Sequence, residues 1–443
     1  METNLDINNI FFIPVGEFFS KNSDACYMVY APLKNKFFLA TPGFVQELKE
    51  QATQNQQGGI LSQLMSDTDV MLDQEVSTDT FCTLHLLLNE KCNFHCKYCY
   101  SAEGRSSAEL TIHQIEQVLN YFLSGERNAV KDRTILFIGG GEPMLSWSLL
   151  EQATIMAKNI ANREEVNVHF SLTTNGSIMS DSQISFLKTH NFTIQISFEV
   201  LPDVQRKQRG PYTSVATNIQ KLTENGINCF IRSTITEDNV DLIPEMVDFC
   251  NEHFPLVKKL SCQQVVDSEY FKSTAVVDDF FHRYFLSYKE GVRRANSYGI
   301  SLQSSSSHLL NYSRRERFCF NLLCLTPYGK FTLCPDVSSP NEPDYQNYVI
   351  GELKDDKVLF DQEAFENWSN VNIHTIDKCR KCYARWNCGS GCPSSRRVYS
   401  SEIFDAICDY YRKMLCHSLI EELARKHKAA TGNDFFTDMA SKF

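Results

Sequence analysis

The 443-residue chain is predicted to adopt an α/β fold. Its centre is a partial (β/α)6 TIM-like barrel. A small N-terminal module of β-hairpin and helix precedes the barrel, and a cysteine-rich C-terminal domain follows it. Three observations predict this. Short apolar runs alternate with helical periods through the middle of the chain, the pattern of a parallel sheet. The repeats number six between residues 81 and 314, too few for a closed eight-stranded barrel. Beyond residue 315 the repeat stops and cysteines crowd in. Domains are accordingly expected at 1–80, 81–314 and 315–443.

In the first segment, 10–15, 27–30 and 37–40 read as strands, the last reached through the turn-like LKNK. Helical spacing follows at 43–54, and the polar QATQNQQGG reads as a loop. Barrel strands are expected at 82–88, 134–138, 166–172, 193–198, 229–234 and 259–266. Helices are expected at 112–123, 148–160, 182–189, 214–224 and 242–250, with another at 280–298. The region after 315 reads as loop-rich, organised around metal more than around a large apolar core.

The composition, 42% hydrophobic and 22% charged, is ordinary for a globular protein. A net charge of -11 argues against a nucleic-acid or anionic-membrane partner. The start METNLDINNIFFIPVGEFF has no basic flank before its short apolar run, so no signal peptide is expected. No stretch reaches the roughly 18 apolar residues of a membrane span. A cytoplasmic protein is expected, and its 17 cysteines then point to metal binding or catalysis rather than disulfides.

The segment Cys92-x3-Cys96-x2-Cys99 falls in the loop after the first barrel strand, where such barrels keep their chemistry. Three thiolates ligate three irons of a four-iron cluster and leave the fourth iron open. A structural zinc knuckle is the alternative, but zinc sites take four ligands, and His95 would serve only by straining the loop. Gly139-Gly140-Gly141-Glu142-Pro143 follows the second strand, where glycine lets a strand edge approach a ligand closely. The third strand ends in Thr173-Thr174-Asn175-Gly176 and the fourth in Ser197-Phe198-Glu199. Arg209 lies in the next loop, and Arg232 ends the fifth strand. Further on come Cys319-x9-Gly329-x4-Cys334, then Cys379-x2-Cys382-x5-Cys388-x3-Cys392, and Cys408. Paired C-x2-C motifs also suit zinc. Cys26, Cys82, Cys229, Cys250, Cys262 and Cys416 read as small buried hydrophobes.

The first cysteine triplet, with Tyr98 before its third cysteine, resembles that of the radical SAM superfamily. The GGEP and TNG segments resemble further motifs of the same family, and the later cysteines resemble its SPASM extension. The resemblance implies S-adenosylmethionine (SAM) and three 4Fe–4S clusters as cofactors. It assigns the site cluster to Cys92, Cys96 and Cys99. It assigns SAM binding to Tyr98, Gly140, Gly141, Glu142, Asn175, Ser197, Glu199, Arg209 and Arg232, with either arginine pairing with the SAM carboxylate. Many relatives carry aspartate where Glu199 stands. One auxiliary cluster would take Cys319, Cys324, Cys334 and Cys392, and the other Cys379, Cys382, Cys388 and Cys408.

The implied function is cleavage of SAM to a 5′-deoxyadenosyl radical that abstracts hydrogen from a peptide. The expected outcome is crosslinked side chains in a ribosomally synthesised precursor, with a flavodoxin- or ferredoxin-type electron donor. The alternative is an anaerobic sulfatase maturase that forms formylglycine. In those enzymes an aspartate directly follows the cysteine matching Cys334. Here Pro335 does, and Asp336, one place later, is the candidate base. Residues 1–80 are either a module that captures a leader peptide at a strand edge or a hairpin that only caps the barrel.

Overall fold

The computed structural model describes residues 9–54, 59–65, 77–305, 315–319 and 321–442. The extreme N-terminus and residues 55–58 of the polar QATQNQQGG segment lie outside the described residues, and residues 51–53, expected as loop, continue the helix Pro42–Thr53. The chain divides into two units. One comprises the described residues of Met1–Glu75, Ser306–Phe318 and Asn370–Phe443, the other those of Val76–Ser305 and Cys319–Ser369. The cysteine-rich segment expected as one domain is thus shared between them.

In the first unit β1 (Phe11–Pro14), β2 (Tyr27–Ala31) and β3 (Lys36–Ala40) form an antiparallel sheet in that order, the three strands expected, with β2 and β3 as the hairpin. Period-two alternation gives the sheet two apolar faces. Ile10, Phe12, Val29 and Ala31 pack on Val45 and Leu48 of the helix Pro42–Thr53. Phe11, Ile13, Met28 and Tyr30 pack on Ile373, Trp386, Leu415 and Leu419. The last two belong to a 31-residue helix, Ser401–Thr431, in which buried Ile403, Ile407, Tyr410 and Met414 recur at helical spacing. The expectation of a C-terminal region without a large apolar core is therefore corrected. That core exists, and its other half is the N-terminal sheet.

The second unit is built on an eleven-stranded sheet. The six expected strands are present as β4 (Thr83–Leu86), β5 (Asp132–Phe137), β6 (Asn167–Thr174), β7 (Thr193–Ser197), β8 (Asn228–Ile235) and β9 (Lys259–Gln264). They pair in parallel, each with the next. β10 (Ser301–Gln303) extends the sheet in parallel beyond β9. At the opposite edge β11 (Leu322–Leu325) pairs in parallel with β4, and β12 (Lys330–Thr332), β13 (Val349–Lys354) and β14 (Lys357–Phe360) follow as an antiparallel meander. Among the described residues no ladder joins β10 to β14, so the barrel is open. β11–β14 lie where the sequence reads as loop-rich, and β10 follows the last expected helix of the barrel segment. They are three to six residues long, and their register with the barrel sets them more than any periodicity of their own does.

Alternation along the parallel strands separates two chemistries. Leu84, Leu86, Ile135, Phe137, Leu172, Ile194, Ile196 and Ile231 are fully buried on one face. The register puts Cys324, His85, Leu136 and Ser171 side by side on the other, and Thr173, Gln195, Phe230 and Arg232 continue that face. Helices cover the apolar face. Ile112–Leu123 starts with a capping box between Thr111 and Gln114. Arg133, fully buried, donates to the carbonyls of Phe122 and Ser124 at that helix's end, where a cation is favoured.

Candidate active site

All the expected barrel motifs fall at the C-terminal ends of the parallel strands, the face where such barrels carry their chemistry. The cysteine loop is pinned there by backbone and side-chain bonds. Gly141 N–H donates to the Asn89 carbonyl at 2.7 Å, and Glu142 N–H to the Lys91 carbonyl at 2.7 Å. Asn175 Nδ2 donates to Asn93 Oδ1 at 2.9 Å, and Lys97 N–H to the Gln208 carbonyl at 2.9 Å. Phe94 is buried with its ring 3.5 Å from where a Cβ on Gly210 would stand.

The glycines of the GGEP segment receive a different explanation from the one expected. A Cβ on Gly141 would stand 1.9 Å from the Lys91 carbonyl oxygen, and one on Gly140 would stand 2.6 Å from that of Asn89. Gly140 also has φ of 54°. The close neighbour that demands glycine is the approach to the cysteine loop, so these residues shape the path of Cys92. Glu142 turns inward. It accepts from Thr174 Oγ1 at 2.6 Å, Asn175 N–H at 2.7 Å and Met144 N–H at 3.0 Å. Burial pushes its carboxyl above the usual range, and these three bonds oppose the shift.

Glu199 has no exposed surface. One oxygen accepts from Arg209 Nε at 2.8 Å and from the Tyr98 hydroxyl. The other accepts from Ser233 Oγ at 2.5 Å and Thr234 N–H at 3.0 Å. Arg209 lies over the Tyr98 ring, 5.3 Å from its centre, and points Nη1 at Cys96 Sγ, 3.7 Å away. Tyr98, Glu199 and Arg209 therefore form one closed network against the cysteine loop. Arg232 differs. It is half-buried on the polar face, opposite Ser197 in register. Among the described residues its side chain makes no hydrogen bond or ion pair, which leaves the guanidinium free for an anionic ligand.

Several residues here escaped the sequence reading. Arg105 donates to Cys99 Sγ at 3.1 Å. Tyr100 is half-exposed, within electrostatic reach of Cys99, Arg232, Cys334 and Asp336. Asn89 and Asn93 pin the loop from either side of Cys92. Only their closeness in sequence to the triplet signals them. Asp336 and Cys319 lie within electrostatic reach of Cys324. Cys324 is wholly buried on β11, its Sγ 3.6 Å from His85 Nδ1.

The donor sets fit iron–sulfur clusters. Cys96 feels the charges of both Cys92 and Cys99, and two arginines donate to the thiols of this triplet. In the first unit Cys388 has Cys379, Cys382 and Cys408 as electrostatic neighbours, with Lys378 and Arg412 near Cys408. Among the described residues no three His, Cys, Asp or Glu side chains close around one point as a single ion needs. A four-iron cubane holds each thiolate on its own iron and so spaces them more widely. Cys392 belongs to the first unit, whereas Cys319, Cys324 and Cys334 belong to the second. Of the six remaining cysteines, Cys26, Cys229, Cys250, Cys262 and Cys416 are buried and Cys82 is partly so.

Residues 86–250 match the model of the radical SAM superfamily. The chain is 22% identical, over 76% of its length and 74% of the relative's, to the radical SAM cyclopropyl synthase TigE of Paramaledivibacter caminithermalis. It is 21% identical, over 69% of its length and 85% of the relative's, to a cysteine-type anaerobic sulfatase-maturating enzyme of Clostridium novyi. Among solved structures it resembles native anSMEcpe with bound AdoMet and Cp18Cys peptide. The TM-score is 0.58 and the identity 17%, over 76% of this chain and 98% of that one. The open parallel barrel is thus the radical SAM fold, and residues 86–250 of this chain form a radical SAM domain. Its family implies a site 4Fe–4S cluster and SAM. Among the described residues no helix is long and apolar enough to cross a membrane.

Proposed function

We propose that this chain is a peptide maturase, one that crosslinks side chains in a ribosomally synthesised precursor. The observation that carries the catalytic half of this reading is the convergence of three thiols, the GGEP and TNG strand ends and an unpaired Arg232 on one end of an open barrel. Cys92, Cys96 and Cys99 would hold the site cluster, and Arg232 would take the SAM carboxylate bidentately. Glu199 would position Arg209 and Tyr98 rather than touch SAM, since all its acceptor directions are taken. When bound, the reduced cluster supplies one electron that splits SAM into methionine and a 5′-deoxyadenosyl radical. The open barrel then leaves its polar face accessible to a peptide.

Peptide as the substrate class is supported by the relatives and by β3. That strand pairs only with β2 among the described residues, leaving an edge on which a leader segment can add. One auxiliary cluster on Cys379, Cys382, Cys388 and Cys408 and another using Cys319, Cys324 and Cys334 would carry away the electron released when the product forms, and a flavodoxin- or ferredoxin-type donor would supply the first. A cytoplasmic location, where thiols stay reduced, suits all of these ligands. Residues 1–80, 81–314 and 315–443 would divide the work as peptide-binding, radical-forming and auxiliary-cluster segments.

Anaerobic purification tests the cluster count: about twelve irons per chain, bleached by dithionite, are expected from three four-iron clusters. Co-expression with a precursor peptide encoded beside the gene, followed by mass measurement, tests the substrate. Loss of a hydrogen pair with two side chains joined supports crosslinking. Formylglycine in a sulfatase-derived peptide would instead support sulfatase maturation, the reading that Asp336, close to Cys324 and Tyr100, keeps in view. Zinc without iron would sink both.

A further inference from the structure

Arg105 lies six residues beyond Cys99, outside every motif described above. Its Nη2 donates to Cys99 Sγ at 3.1 Å, and its charge also acts on Cys92. It is half-buried, and its Nη1 is sealed from solvent with no hydrogen-bond partner. Glu90 is the buried acid within its electrostatic reach. Glu90 has no exposed surface, and neither of its oxygens has a hydrogen-bond partner among the described residues. This is not a solvated surface cation: one end of the guanidinium bonds the Cys99 sulfur, the other is shut off from solvent without a hydrogen-bond partner, and no carboxylate pairs with it among the described residues.

We infer that Arg105 is a positioning residue that sets the reduction potential of the site cluster through its bond to Cys99. The inference rests on the reading of Cys92, Cys96 and Cys99 as cluster ligands. Reduction adds one electron to a cluster already made anionic by three thiolates. A cation bonded to a ligand sulfur stabilises the more negative, reduced state and so raises the potential. Arg209 approaches Cys96 more loosely, at 3.7 Å, and is neutralised by Glu199. Arg105 bonds its sulfur at shorter range, and it is the cation the potential should follow.

The test is a redox titration of the full-length holoenzyme and its Arg105→Gln and Arg105→Lys variants. The readout is the part of the reduced EPR signal that changes when SAM is added, which isolates the site cluster from the auxiliary ones. In Arg105→Gln the reduced-to-oxidised ratio at a fixed potential should fall about tenfold, a shift of about 59 mV to more negative potential. Arg105→Lys, which keeps the charge, should recover most of it. Equal potentials in all three proteins would overturn the inference. If Arg105→Gln loses the site cluster's iron while Arg105→Lys keeps it, the charge at this position is again what the cluster needs. Loss from both variants would overturn the inference, because geometry and not charge would then be responsible. Wild-type protein that binds no iron would instead overturn the ligand assignment itself.

Discussion

Arg209 caps the helix Pro202–Gln208 and Arg232 lies within β8 of the same barrel, yet their surroundings give them opposite tasks. Arg209 is closed off by Glu199, Tyr98 and Cys96, whereas Arg232 is free. Replacing Arg232 with alanine should raise the KM for SAM about 10- to 100-fold, the worth of one charge-assisted contact, with iron content unchanged. Steady-state kinetics with iron assays check this. Replacing Glu199 with glutamine leaves Arg209 a buried cation without its counter-charge. It should cost about 3–5 kcal/mol of stability, read as a lowered anaerobic melting temperature. The buried thiols predict a pH dependence. Burial pushes Cys26 up to about 11 and Cys229, Cys250 and Cys416 up to about 12, from an ordinary value of 9.0. The native state therefore holds these protons more tightly than the unfolded chain. Their contribution to stability is complete below pH 9 and lost as pH rises through about 11 to 12. A series of melts from pH 8 upward should show the decline beginning near 9. The chemistry of each of these residues was legible from its type. The partner that occupies or frees it was not, because Glu199 and Arg209 meet across a helix and a strand end.

The cysteine loop and the GGEP turn act as one element. Gly141 has room for no side chain because the Lys91 carbonyl fills its Cβ position. Gly141→Ala should therefore displace the loop and remove the site cluster alone, about a third of the iron, which an iron assay before and after SAM-dependent EPR would resolve. Retention of a SAM-responsive signal in that variant would count against the pinning described here. The motif spacing announced that glycine was required. That its close neighbour is the chain's own backbone emerged only when β4 and β5 were placed side by side. The same limit hid β11–β14. Three or four apolar residues between turn residues are compatible with loop or strand, and only the pairing of Leu322–Leu325 with Thr83–Leu86 decides.

At the scale of the whole molecule, the N-terminal sheet is part of the unit that carries Cys379, Cys382, Cys388 and Cys408. Tyr30 donates to Asn387 Oδ1 at 2.8 Å, one residue before Cys388, and Trp386 Nε1 donates to Asn9 Oδ1 at 2.8 Å. Deleting the N-terminal sheet would uncover Ile373, Trp386, Leu415 and Leu419, apolar side chains at or below 2% exposure. The truncated chain should precipitate or lose the cluster proposed for that unit, measurable as soluble yield and iron content. A soluble, fully loaded truncation would show instead that the sheet is a detachable substrate module. The milder Tyr30→Phe change removes this buried hydrogen bond and should cost about 0.5–1.5 kcal/mol in a thermal melt.

The sequence by itself determined the open α/β barrel, because period-two and helical spacings are local properties that survive without neighbours. It also grouped Cys92, Cys96 and Cys99 in one loop, since spacing along a short segment is fixed by the chain. Tertiary structure alone decided which arginine stays free, why two glycines are needed, and that the first and last segments of the chain share a core. Each of these depends on residues far apart in sequence meeting in space, and no local pattern records such a meeting.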